Sequence, residues 1–150
     1  MAAIRKILVA TDFSTEARRA QQIALDLARP LGASVTLLHV YQLPIYTFFD
    51  GASLLPSPSV VAQIVSDVDA ALNTAKDAAV SSGVAVDTAT EPGVPYEDIV
   101  RYAADHAIDL IVMGTHGRRG LRRLAMGSVA ERVVRNAHVP VLTVPPAQHD

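Results

Sequence analysis

At 150 residues, half of them hydrophobic, the chain has the length of one domain and enough apolar mass for a proper core. It contains no cysteine, which excludes a disulfide framework and thiolate chemistry, and no apolar run approaches the ~20 residues needed to span a bilayer. The net charge of −2 is unevenly spread: residues 1–109 hold seven Lys or Arg against thirteen Asp or Glu, while residues 110–150 hold six Arg against Glu131 and Asp150, so an anionic partner belongs at that end.

"KILVAT" (6–11) is apolar at nearly every position, as a strand covered on both faces of a parallel sheet would be. The N-terminus shows neither a signal h-region nor a small-residue cleavage site, and the cytoplasm is the expected compartment. A helix follows, with Ser14 as N-cap, Glu16 in the first turn and Gly32 closing the segment after Pro30. Its inward stripe reads Ala17, Ala20, Ala24, Leu27 and Ala28. "SVTLLHVY" (34–41) is a second strand. Residues 42–58, with three prolines, a glycine and three aromatics, read as a long loop of the functional or mobile kind.

From Val60 the helical period returns through Val61, Ile64, Val65, Val68, Leu72, Ala75 and Ala79, and Gly83 ends it. "VAVDTAT" (84–90) alternates like a strand. "GVP" then leads into a helix with Pro95 near its first turn and Ile99, Tyr102 and Ala103 on its apolar face. "DLIVMG" (109–114) is a fourth buried strand. After a glycine- and arginine-rich loop come a helix from about Ser128 to Asn136, a last strand "VPVLTV" (139–144), and the tail "PPAQHD". This β-α alternation with short crossovers defines a doubly wound α/β fold, one open sheet of five parallel strands with helices on both faces. In the order 3-2-1-4-5 the chain reverses between strands one and four, and ligands bind beyond the carboxyl ends of the strands at such a reversal. "ATDFS" and "MGTHG" end those two strands, so the unusual loop sits at the expected crevice.

A helix N-terminus carries unpaired N–H groups and partial positive charge, and binds phosphate where the backbone can approach closely. Glycine permits that approach because it lacks Cβ and tolerates positive φ. Gly127 and Ser128 immediately precede "VAERVV", so Gly127 N–H, Ser128 N–H and Ser128 Oγ are candidates to cradle phosphate, with Gly114 and Gly117 on the other side. The bland alternative is a surface loop with Ser128 as a helix cap. The loop has no lysine and no G-x-x-x-x-G-K-[ST], which excludes a P-loop, and its G-x-x-G-x-x-G is not the dinucleotide G-x-G-x-x-G. Arg118, Arg119, Arg122 and Arg123 either pair with phosphate or stay solvated.

Gly114-x-x-Gly117, nine residues, then Gly127-Ser128 matches the G-2x-G-9x-G-[ST] nucleotide signature of the universal stress protein family. "KILVATDFS", "LLHVY", "DLIVMGTHGR" and "VPVLTV" resemble that family in the same order, across essentially the whole chain. The resemblance implies one nucleotide-binding domain over residues 1–150, usually as a homodimer, and the intact signature resembles the branch that binds ATP. It implies that Asp12 approaches the ribose and phosphates, that Ala10 and Thr11 line the adenine side, and that the backbone at Val40 reads adenine. Met113 and Gly114 would flank the sugar, and Gly117, Gly127, Ser128 and Val129 would surround the phosphates. Ala10 stands where many relatives have Pro. Mg²⁺ is expected with the ATP.

Asp12 also has a plain reading as a turn residue. His116, inside the loop, either touches phosphate or caps the loop, and His39 reads as a hydrogen-bonded core histidine. His106, His138 and His149 lack metal-ligand spacing, and no G-x-S-x-G elbow marks a nucleophile. A phosphoacceptor receiver domain is excluded, because strand three ends "ATE" and strand five "VPP". Glu131 faces solvent or pairs with Arg135. Catalytic residues are expected to be absent and hydrolysis slow. The remaining function classes are an ATP-binding regulatory or sensor module in stress response, and an interaction protein using the Arg118–Arg123 patch on nucleic acid or an acidic partner. No aromatic residues interleave that patch, which weakens the second. Finally, the last strand lies at a sheet edge without lysine, inward charge or bulge glycine, so Val141, Leu142, Thr143 and Val144 are expected to pair with a second copy, the alternative being that the tail "PPAQHD" folds over the edge.

Overall fold

The computed structural model describes residues 3–116 and 126–148. Its order is β1 (Lys6–Ala10), α1 (Thr15–Leu31), β2 (Ser34–Tyr41), β3 (Tyr46–Thr47), β4 (Ser53–Leu54), α2 (Pro58–Ala79), β5 (Val86–Pro92), α3 (Pro95–Asp105), β6 (Leu110–Gly114), α4 (Ser128–Asn136) and β7 (Val141–Val144). Five strands form one parallel sheet in the order β5-β2-β1-β6-β7, which is the expected 3-2-1-4-5 once the short β3–β4 hairpin is set aside.

Alternate residues of each strand enter two cores. Ile7, Val9, Val35, Leu37 and Val112 pack beneath Ala20, Ala24 and Ala28 of α1 and Val68 and Leu72 of α2. Leu8, Leu38, Ile111 and Met113 pack on the other face beneath Ile99 and Ala103 of α3 and Ala130 and Val133 of α4. The continuous apolar runs of β1 and β6 have this cause: both faces are covered, so no position needs a polar side chain. Alanines on α1 let that helix lie close to the sheet.

Local chemistry sets the helix ends. Ser14 Oγ accepts the Ala17 N–H at 3.1 Å, and Gly32, at φ +63°, closes α1 while Ala33 N–H reaches back to Ala28 C=O. The α1 stripe differs at three positions: Leu25 is buried and Leu27 is exposed, and Gln21 is also buried where its amide donates to Ala75 C=O at 2.9 Å. Gln21 and Leu25 lie four apart, so the buried face is rotated toward α2 relative to the alanine stripe. Helix α2 begins at Pro58, earlier than the apolar period suggests, because Ser57 caps it and proline fits the first helical position.

Within residues 42–58, expected as a loop, β3 and β4 pair antiparallel around a turn in which Gly51 has φ +82° and Asp50 Oδ1 accepts the Ala52 N–H. Two-residue strands carry no periodicity by which to find them. At the bottom of the sheet Asp109 accepts the Arg5 and Lys6 N–H groups at 2.8 and 2.9 Å, tying the start of β1 to that of β6.

Candidate functional site

Past Ala10 the chain turns sharply out of β1. Thr11 N–H still donates to Leu38 C=O, but Thr11 Oγ1 accepts the Phe13 N–H at 3.1 Å and Asp12 Oδ1 accepts the Ser14 N–H at 3.0 Å. Phe13 sits at φ +64°, in the left-handed region that a bulky residue enters only under constraint. The constraint is visible: its ring lies 4.7 Å from that of His39, whose Nδ1 is 2.7 Å from Thr11 C=O. A carbonyl only accepts, so Nδ1 carries the hydrogen and Nε2 is the acceptor in the neutral ring. Asp12 thus holds the turn, in line with its plain reading, and the turn carries it to the mouth of the sheet.

Beyond β6, Thr115 N–H donates to Val144 C=O at 3.0 Å and Thr115 Oγ1 lies 2.9 Å from His116 Nδ1. Gly127 N–H donates to Thr115 C=O at 2.6 Å, so it is not available to a phosphate as expected. Nor does Gly127 need positive φ, since its backbone is extended at φ −59° and ψ 155°. The groups that remain are the N–H groups of Ser128, Val129 and Ala130, the first three residues of α4, which have no acceptor within the helix and no side-chain cap. Gly114 also lacks positive φ. A Cβ there would lie 3.1 Å from Glu16 Cβ, so this glycine lets the first turn of α1 rest against the end of β6.

These two strand exits enclose a crevice of about 610 Å³, within the range of small-ligand sites. Ala10, Thr11, Asp12, Val40, Met113, Gly114, His116, Gly127, Ser128 and Val129 all line it. Gly117 and the four loop arginines lie outside the described residues. Sequence reasoning missed several lining residues: His39, Tyr41 and Gln42 at the end of β2, and Val94, Pro95 and Tyr96 at the start of α3. "GVP" at the carboxyl end of a strand was the available signal for the last three. His39 is hydrogen-bonded as expected, yet it lines the crevice and is not confined to the core.

The charge of the described lining is sparse. Asp12 is its one carboxylate and Arg132 its one guanidinium, the latter 5.0 Å over the Tyr96 ring. A hydrogen bond to Glu97 pushes the Tyr96 phenol above its ordinary pKa. Among the described residues no three His, Cys, Asp or Glu side chains gather as a metal cluster. Glu131 is both exposed and paired with Arg135 at 2.8 Å. On β7, Leu142 is exposed but Val144 is 2% exposed and belongs to the core, so its side chain is not free to face a second copy.

Five parallel strands with helices on both faces, and a crevice at the strand reversal, define a doubly wound α/β domain. The family model described as Universal stress protein family matches residues 3–145. Universal stress protein MJ0531 of Methanocaldococcus jannaschii is 37% identical over 141 residues, covering 93% of this chain and 81% of the relative. Among solved structures, universal stress protein UspA from Lactobacillus plantarum superposes with a TM-score of 0.72 at 29% identity, covering 96% and 99% of the two chains. A universal stress protein solved in complex with cAMP gives 0.69 at 25% identity, covering 95% and 98%. The chain belongs to the universal stress protein family. No helix among the described residues is long and apolar enough to cross a membrane.

Proposed function

We propose that this protein binds ATP in the crevice between β1 and β6 and acts as a regulatory or sensor module in stress response, with hydrolysis slow or absent. The observation that carries the reading is the start of α4: three successive backbone N–H groups without helical acceptors, at the positive end of the helix dipole, open into a cavity of nucleotide size. Ser128 Oγ adds a donor at that end, and Leu38, Val40, Ile99 and Met113 supply an apolar region for a base. The relative solved with cAMP supports an adenine nucleotide as the ligand class.

Mg²⁺ fits this donor set, because it is commonly held by one or two carboxylates together with phosphate oxygens and water, and Asp12 is the carboxylate present. Bound there, the ion would neutralise phosphate charge. Asp12 Oδ1 accepts the Ser14 N–H and is held as part of the turn, a role that suits fixing a ligand better than removing a proton from water. The outer edge of β7, unpaired among the described residues, supports assembly as a homodimer through that strand.

The test is a calorimetric titration of the desalted protein with ATP and Mg²⁺, with denaturing mass spectrometry of the protein as purified. One ATP bound per chain is the expected result. No heat of binding at millimolar ATP, with a folded protein and no retained nucleotide, would overturn the reading.

A further inference from the structure

The crevice wall after β5 is a turn whose construction bears on ligand selectivity. Gly93 N–H donates to Tyr41 C=O at 2.9 Å, which staples the turn to the end of β2. Gly93 has φ +152°, and a Cβ there would fall 1.8 Å from Asp98 Oδ2. The space that a side chain would need is filled by that carboxylate. Asp98 is 4% exposed, its Oδ2 accepts the Val94 N–H at 2.7 Å, and its other oxygen pairs with Arg101. Arg101 in turn holds Glu91 of β5 at 3.0 Å, so the strand before the turn and the helix after it are clamped together.

A buried carboxylate is costly unless it is paired and hydrogen-bonded, and a helix start is ordinarily capped by Ser, Thr, Asp or Asn at the N-cap itself. Here the N-cap is Val94, with no capping side chain of its own, and Pro95 at the next position has no N–H to satisfy. Asp98 instead accepts the N–H of Val94 itself, ahead of the first turn. The cap position itself holds an apolar residue, and Val94 and Pro95 both line the crevice, as do Val40 and Tyr41.

The place of this wall in the sheet matters. In the order β5-β2-β1-β6 the end of β5 is three strand spacings from that of β6, about 14 Å at ~4.8 Å each. The strand leading into the apolar turn is therefore the one farthest from β6, while Tyr96, beside the turn, meets Arg132 of α4.

We infer that Gly93 and Asp98 are positioning residues that hold Val94–Pro95 as a rigid apolar wall for the base of a nucleotide, and so set selectivity for the nucleoside part independently of the phosphates. The inference rests on the adenine-nucleotide reading above. The full chain is titrated with ATP and with inorganic tripolyphosphate, for the wild type, Asp98→Ala, Asp98→Asn, Gly93→Ala and the Gly93→Ala/Asp98→Ala double variant.

The wild type should prefer ATP. Asp98→Ala should lose at least tenfold in ATP affinity while its tripolyphosphate affinity stays within twofold. Asp98→Asn, which keeps an acceptor oxygen for Val94 N–H, should retain most of the preference. Gly93→Ala should reproduce the loss, since its Cβ displaces the carboxylate, and it supplies the same readout should Asp98→Ala fail to fold. The double variant should bind ATP no worse than Gly93→Ala, because the two changes act on one contact. A folded Asp98→Ala or Gly93→Ala protein with the wild-type ratio of the two affinities, or one losing both ligands in parallel, overturns the inference. A wild type that binds ATP no better than tripolyphosphate overturns the adenine reading itself, and this inference with it.

Discussion

Gly114 and Gly127 fall on the same spaced motif, yet the structure uses them for different things. At Gly114 the need is room, with Glu16 Cβ 3.1 Å and the Glu16 backbone 3.5 Å from where a Cβ would stand. Gly114→Val should therefore destabilise the fold by about 1–3 kcal/mol, the scale of overpacking at a close contact. Urea unfolding checks this, read as a lower midpoint at unchanged slope. At Gly127 the extended backbone accepts any residue, and its N–H already serves Thr115. The place of the crevice was legible in the sequence because the glycine spacing and the helix start after it are local. The division of labour was not, since it depends on α1 and β7 arriving from far along the chain. His39 shows the same limit: its bond to Thr11 C=O exists only because β1 and β2 lie side by side.

Among the elements, periodicity located every strand of the main sheet and all four helices, with ends displaced by two residues or so. Strand β5 runs 86–92 where 84–90 was expected, and β7 runs 141–144 where 139–144 was expected. Residues 84–85 and 139–140 read like the strands they precede; Ala85 and Pro140 C=O still accept the Val35 and Ile111 N–H groups, at 2.9 and 3.0 Å, but the regular ladders start at Val86 and Val141. The strand junction at Asp109 gives a pH-dependent prediction. Hydrogen bonds from the Arg5 and Lys6 amides hold its carboxyl below the ordinary carboxylate range. Its stabilisation is thus fully present above about pH 4 and is lost as pH falls through the lowered value. Stability of the wild type relative to Asp109→Asn, from urea unfolding between pH 7 and pH 2.5, should shrink on acidification. A difference that stays constant or widens toward low pH would contradict this.

At the scale of the whole molecule, β7 is an edge strand with no outer partner among the described residues, and the crevice lies at the sheet's centre. Val144 is part of the core, so a lysine there would damage the monomer and say nothing of assembly. Leu142 is the position to change. The wild type should sediment as a dimer at tens of micromolar, and Leu142→Lys should shift it toward monomer with its circular dichroism intact. A monomeric wild type, or a variant that associates equally well, would remove β7 as the interface. The central claim, that the amides opening α4 bind the phosphates of ATP, is tested most directly by Ser128→Pro. Proline is favoured at the first helical position, and Gly127 at ψ 155° has the backbone that a residue before proline requires, so the helix should survive. The substitution removes the Ser128 N–H and hydroxyl together. Calorimetric titration should show ATP binding weakened by about 2 kcal/mol or more, roughly thirtyfold, as for loss of charge-assisted hydrogen bonds. A folded Ser128→Pro protein that binds ATP as tightly as the wild type would contradict it.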